Sequence, residues 1–165
     1  MPETAPRRPG LRFLFAHPAH FLALGCGSGL APVAPGTFGT LFAWGTFLLF
    51  RPFFSDFQLL FLFAAAYLGG IWLIGVAGRA LGNPDHGSIV WDEIVPFWLT
   101  LLLTPDAFFW QLAAFALFRA FDIVKPQPAR YFDEKVKNGF GVMADDLVAA
   151  GYTLFVLALL KAAFS

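Results

Sequence analysis

QLLFLFAAAYLGGIWLIGVAGRA, Gln58 to Ala80, is a run of 23 residues with a single charge, Arg79. At ~1.5 Å of helical rise per residue it reaches about 35 Å, enough to cross the ~30 Å hydrocarbon core of a bilayer. Lipid offers no hydrogen bond to stray backbone groups, so such a segment satisfies its own N–H and C=O groups as a helix. It shows none of the alternation a barrel strand requires. This stretch decides the fold class: all-α, a polytopic helical bundle in a membrane.

Outward from it lie four more apolar blocks, Thr37 to Phe50, Ile94 to Leu103, Ala107 to Phe121 and Leu147 to Phe164. The chain of 165 residues is 58% hydrophobic and only 13% charged, with 22 phenylalanines. A soluble domain carries roughly 25% charged residues, so this surface is too poor in charge for water. Only Gln58 to Ala80 and Leu147 to Phe164 approach the length of an unaided span; the others are short. About five membrane-embedded helices are expected. Before them, Leu11 to Leu24, interrupted by His17, Pro18 and His20, reads as an interfacial helix with Arg12 and the histidines near the headgroups. Met1 to Gly10 is Pro-rich and expected to be flexible. No repeat or linker divides the chain, so 1–165 is read as one domain.

Thr104, Pro105 and Asp106 allow two arrangements: a tight turn with Asp106 capping the next helix, or a kink in one long helix from Ile94 to Phe121. Lys and Arg accumulate in cytoplasmic loops. With a turn, Arg7, Arg8, Arg12, Arg79, Arg119, Lys125, Arg130, Lys135 and Lys137 share one side, and Arg51 and Lys161 the other. The turn also brings three polar segments, Gly25 to Gly36, Gly82 to Glu93 and Asp122 to Asp146, to that same cytoplasmic side.

Net charge is zero and no basic patch interleaves with aromatics, which excludes a nucleic-acid partner. The lone Cys26 excludes an internal disulfide and a thiolate metal site, and is expected to pack as a small apolar residue.

The acids Asp92, Glu93, Asp122, Asp145 and Asp146 all flank apolar blocks. Acids favour helix N-termini, which for Asp145 and Asp146 taken alone is as good an account as a chemical role. Asp122 follows its block, where the dipole disfavours it, and Lys125 three residues on can pair with it. Several carboxylates gathered at a membrane edge repel one another unless a cation joins them. Glu93, Asp122, Asp145 and Asp146 are therefore the candidate metal ligands, and all-oxygen donors suit Mg²⁺. Arg119, Lys125 and Arg130 are candidates to hold a phosphate, or else headgroup anchors in the case of Arg130. His86 is either a proton donor or a surface loop residue. The glycine-rich turn before Thr37 places Ser28 and Thr37 where backbone amides can face an anion, or serves only as a tight turn.

GSGLAPVAPGTFGT (Gly27 to Thr40), DHGSIVWDEIV (Asp85 to Val95) and FRAFDIVKPQPARYFDEKVKNGFGVMADDLVAAG (Phe118 to Gly151) together resemble the phosphatidylglycerophosphatase A family. The last block is the specific one, with Phe-Asp, Lys-Pro-x-Pro and Gly-x-Met-x-Asp-Asp in order. Pro96 and Asn138 stand where the family commonly has glycine. Asn tolerates positive φ, and Pro suits the first turn of a helix. The resemblance implies a bacterial inner-membrane enzyme that converts phosphatidylglycerophosphate to phosphatidylglycerol and phosphate with Mg²⁺. It also implies that Asp92, Glu93, Asp122, Asp145 and Asp146 include the catalytic acids. Attack by water and attack by an aspartate both remain open, as do a carrier or scaffold held by structural ion pairs and another lipid-phosphate enzyme.

Overall fold

The computed structural model describes residues 8–164; Arg7 and most of the proline-rich N-terminal stretch lie outside it. All regular structure among the described residues is helical: α1 (Leu11–Leu14), α2 (Pro18–Ala23), α3 (Pro35–Phe50), α4 (Asp56–Leu81), α5 (Trp91–Leu102), α6 (Phe108–Val124), α7 (Ala129–Lys135) and α8 (Gly139–Phe164). Short 3₁₀ turns occupy Gly25–Leu30 and Arg51–Phe53.

The twelve-residue α5 is the axis of the bundle, with α3, α4, α6 and α8 packed around it. Its Ile94, Phe97 and Leu101 are sealed from solvent, and Pro96 sits buried inside it. Indole nitrogens tie the helices together. Trp98 Nε1 donates to the Ala43 carbonyl at 3.0 Å, Trp91 Nε1 to the Ala66 carbonyl at 3.1 Å, and Trp44 Nε1 to Gln111 Oε1 at 2.8 Å. Glycine permits the closest crossings: a Cβ on Gly70 would lie 2.7 Å from Trp91 Cδ1. Such small residues let helices approach where no hydrophobic force separates them from lipid.

The surface is apolar and part of the interior is polar. Leu49, Phe57, Phe61, Leu68, Trp72, Phe109 and Phe155 are exposed, whereas Thr40, Thr100, Asp122, Asp145, Asp146 and Thr153 are buried. Two helices, α4 and α8, are long and apolar enough to cross a membrane, with mean hydropathies of 2.2 and 2.0. Only 28% and 22% of those spans are buried in the protein, so the remaining apolar surface needs lipid as its solvent. This is a membrane protein.

Several local expectations are corrected. The Leu11 to Leu24 stretch is two helices, because Pro18 starts a new one that His17 caps through the Ala19 N–H at 3.0 Å. Of the two arrangements open at Thr104 to Asp106, the turn that the charge distribution favours is the one found, with residues 103–107 separating α5 from α6. Asp106 does not cap α6; Ala107 holds that position, and Asp106 lies 3.8 Å from Arg51. Helix α8 begins at Gly139, eight residues before the expected Leu147, so Asp145 and Asp146 lie two turns inside it rather than at its N-terminus. Asn138 has no positive φ; its Oδ1 accepts the Gly141 N–H at 3.0 Å and caps the helix instead. Pro96 lies beyond the first turn of α5. Cys26 is exposed and left-handed, at φ 55, rather than packed.

Candidate active site

At one end of the bundle α3, α5 and α8 begin and α6 stops. Glu93 comes from the first turn of α5, Asp122 from the last turn of α6, and Asp146 from the interior of α8. One oxygen from each lies within 4.8 Å of the others. Asp122 and Asp146 are buried and Glu93 half-buried. Local helix geometry explains the aim: α6 runs past its apolar block to Val124, so Asp122 still points inward from a helical turn and is not released into a loop.

Two cations hold this acidic group. Arg119, one turn before Asp122, places Nη1 at 2.6 Å from Glu93 Oε2 and 2.5 Å from Asp122 Oδ2. Lys125 closes α6 in a left-handed conformation, φ 48, which turns its side chain back over the cluster. Its Nζ donates to Asp145 Oδ2 and lies 3.3 Å from Asp133 and 4.0 Å from Asp122. Burial by itself would lower the Lys125 pKa, but Asp145, Asp146 and Asp122 outweigh it and raise the group above its ordinary value. Lys125 is a permanent cation at any physiological pH.

Five carboxylates thus face two bases, and the account does not close within the protein. Asp92 Oδ1, Asp145 Oδ1, Asp146 Oδ1 and Arg119 Nε are buried without a hydrogen-bond partner. Buried oxygens of this kind are costly unless something else binds them. An all-oxygen set of two or three converging carboxylates with unpartnered lone pairs is the donor chemistry of a hard divalent cation. Glu93, Asp122 and Asp146 fit such a metal. Asp145, also expected as a ligand, spends one oxygen on Lys125.

The other expected residues are placed as follows. His86 is buried, and its Nδ1 accepts the Ser88 N–H at 3.2 Å, bracing the loop before α5. Burial lowers its pKa, with Asp85 opposing, so the ring is neutral near pH 7. Ser28 donates to the Gly25 carbonyl at 2.9 Å. The glycines around it have a packing reason, since a Cβ on Gly29 would overlap the Ser88 carbonyl. Thr37 is in the first turn of α3, and its amide bonds the Ala34 carbonyl at 2.9 Å. Arg130 is exposed on α7 and makes none of the ion pairs that hold the cluster.

Sequence reasoning passed over three participants. Thr40 Oγ1 lies 3.2 Å from Glu93 Oε2 while also donating to the Gly36 carbonyl at 2.9 Å. Gly36 itself abuts the same carboxylate so closely that any Cβ there would overlap it. The Glu93 charge thereby meets the N-terminal turn of α3, where the helix dipole favours it. Asp133, in a stretch that reads as a charged headgroup segment, supports Lys125. The spacing Pro-Gly-x-x-x-Thr, which puts Gly36 and Thr40 on one helix face, was the available signal.

Comparison with known proteins bears on this arrangement. A family model for phosphatidylglycerophosphatase A matches residues 21–161. A Haemophilus influenzae protein named phosphatidylglycerophosphatase A is 46% identical over 142 residues, 86% of this chain and 87% of that one. The Escherichia coli protein of the same name is 41% identical over 153 residues, 88% and 87% of the two chains. A Bacteroides thetaiotaomicron protein, provisionally named a phosphatidylinositol-3-phosphatase, is 39% identical over 150 residues, 85% and 91% of the two. No solved structure matches the chain significantly.

Proposed function

The chain belongs to the phosphatidylglycerophosphatase A family and is a phosphatase, and from that premise we propose that it hydrolyses the terminal phosphomonoester of phosphatidylglycerophosphate, releasing phosphatidylglycerol and inorganic phosphate. The observation that carries the reading is the convergence of Glu93, Asp122 and Asp146, with a buried oxygen unsatisfied on Asp146 and on the neighbouring Asp92 and Asp145, beside two fixed cations at one end of a lipid-solvated bundle.

Glu93, Asp122 and Asp146 would hold Mg²⁺, which when bound supplies a Lewis acid for a phosphoryl oxygen and offsets the crowded negative charge. Arg119 fixes Glu93 and Asp122 in place and keeps its Nε free to meet a phosphate oxygen. Lys125 draws in the doubly charged monoester and stabilises charge as the ester bond breaks. Asp92, Asp145 and Asp146 each keep an oxygen without a partner, which makes them the groups able to take a proton from an attacking water or to attack phosphorus themselves. Labelled water in a single turnover separates these routes by marking either the phosphate or the carboxylate.

In the membrane we place α3 to α6 and α8 as five embedded helices of the bacterial inner membrane, with the acidic end in the cytoplasm. The basic residues at that end support this orientation. Exposed Cys26 lies on the same end, next to the loop before α5, so an impermeant thiol reagent should label it in inverted vesicles and spare it in intact cells. Labelling from outside would reverse the orientation.

The direct test is phosphate release from phosphatidylglycerophosphate in mixed micelles, with phosphatidylinositol 3-phosphate as the comparison substrate suggested by the Bacteroides relative. Turnover should stop with chelator and return with Mg²⁺. Release that persists through chelation would remove the metal from the reading, and preference for the inositol lipid would change the substrate.

A further inference from the structure

A second polar feature lies beside the acidic centre but outside it. Between the end of α4 and the start of α8 a cavity of about 660 Å³ is lined by Ile71, Ile74 and Phe140 on its apolar wall and by Arg79 and Lys137 at its rim. Neither cation has a hydrogen-bond or ion-pair partner among the described residues. No acid lines the cavity.

Arg79 is not needed to finish its own helix. The last carbonyls of α4 are met by the Gly82 amide, on Arg79 O at 3.3 Å, and by the Asn83 amide, on Gly78 O at 3.0 Å. Its guanidinium instead folds back one turn, so that a Cβ on Gly75 would lie 3.4 Å from Nη1. On the facing side, the first amides of α8, at Gly139 and Phe140, are donors that no carbonyl of that helix can reach. An unpaired guanidinium, an ammonium and free amides around an apolar floor match a phosphate attached to lipid. Helix α8 runs from Gly139 in the cavity lining to Asp145 and Asp146 two turns on, which sets the cavity next to the acidic centre.

We propose that this cavity seats the phosphodiester of the lipid substrate on Arg79 and Lys137, and so selects a lipid with two phosphates over one with a monoester alone; this rests on the hydrolytic reading above. The monoester goes to the carboxylate end and the diester to this rim.

The test uses the full chain in detergent. With chelator present, binding of phosphatidylglycerol, whose one phosphate is a diester, is compared between wild type and Arg79→Ala/Lys137→Ala. About tenfold weaker binding is expected from losing two charge-assisted contacts at an exposed rim, with recovery in Arg79→Lys/Lys137→Arg. With Mg²⁺, KM for phosphatidylglycerophosphate should rise by a similar factor while KM for phosphatidic acid, a monoester lacking the diester, moves less than about twofold. Should the double variant lose stability, Lys137→Gln, an exposed change, keeps the test with about a threefold effect expected. Equal phosphatidylglycerol binding by wild type and variant overturns the proposal. That holds whether or not the wild type hydrolyses phosphatidylglycerophosphate, whose failure would instead sink the hydrolytic reading. Equal losses on both substrates make the two cations general anchors and also overturn it. So does a matching rise in the inhibition constant of inorganic phosphate, which would assign the cavity to free phosphate.

Discussion

The two ends of the bundle carry ion pairs of the same length in opposite surroundings. At the far end, Arg51 Nη1 lies 2.6 Å from Asp56 Oδ1, with the aspartate side chain 72% exposed. At the site end, Arg119 Nη1 lies 2.6 Å from Glu93 Oε2, with side chains 14% and 12% exposed. The first pair is screened by water and contributes little. The second cannot lose a partner without stranding a buried charge. Distance is the same; the medium decides what the contact is worth and what it can do. The far end joins α3, α4 and the turn before α6, whereas the site end gathers more acids than its bases can neutralise.

This contrast can be broken at several points. Asp146→Asn should leave the fold intact and lower Mg²⁺-dependent phosphate release at least about a thousandfold, the scale expected when a buried metal ligand is neutralised; near-normal turnover would remove the metal role. Arg119→Ala should cost about 3–5 kcal/mol in denaturant unfolding in detergent, since Glu93 and Asp122 would face each other without the guanidinium between them. A cost below about 1 kcal/mol would put the site end in the same class as the far end. Gly36→Ala, which drives a methyl group into the Glu93 carboxylate, should cost about 1–3 kcal/mol and depress activity, whereas Gly45→Ala on the same helix meets open space and should cost nothing. Arg51→Ala should change stability by less than about 1 kcal/mol and leave turnover at wild-type level, measured in the same assays. A large effect there would mean that the far end is buried in a way its exposure denies.

Membrane solvation, helical class and the list of chemically interesting acids were legible because they are local or compositional. Hydropathy of Gln58 to Ala80 needs no partner to be read. Helix limits were less legible. The Gly139 to Gly141 stretch looks like a loop because glycine disfavours helix, but Gly139 lets α8 approach the Ile71 carbonyl and Gly141 lets it approach the Val136 carbonyl. Tertiary contact overrides the local preference there. The division of labour among the acids was not readable at all. Asp145 and Asp146 are adjacent in sequence, yet successive helical residues point about 100° apart, so one meets Lys125 and the other meets Glu93 and Asp122.

The sequence by itself determined that this chain is a helical membrane protein with acids and bases enough for phosphate chemistry, because apolar length and residue type act through solvent and need no neighbours. Only the tertiary structure decided which carboxylates share a pocket, which are held by Arg119 or Lys125, and where Gly36 and Thr40 meet Glu93. Those outcomes depend on how α3, α5, α6 and α8 are set against one another, and contacts across 53 residues of chain, as between Thr40 and Glu93, are fixed by packing rather than by local pattern.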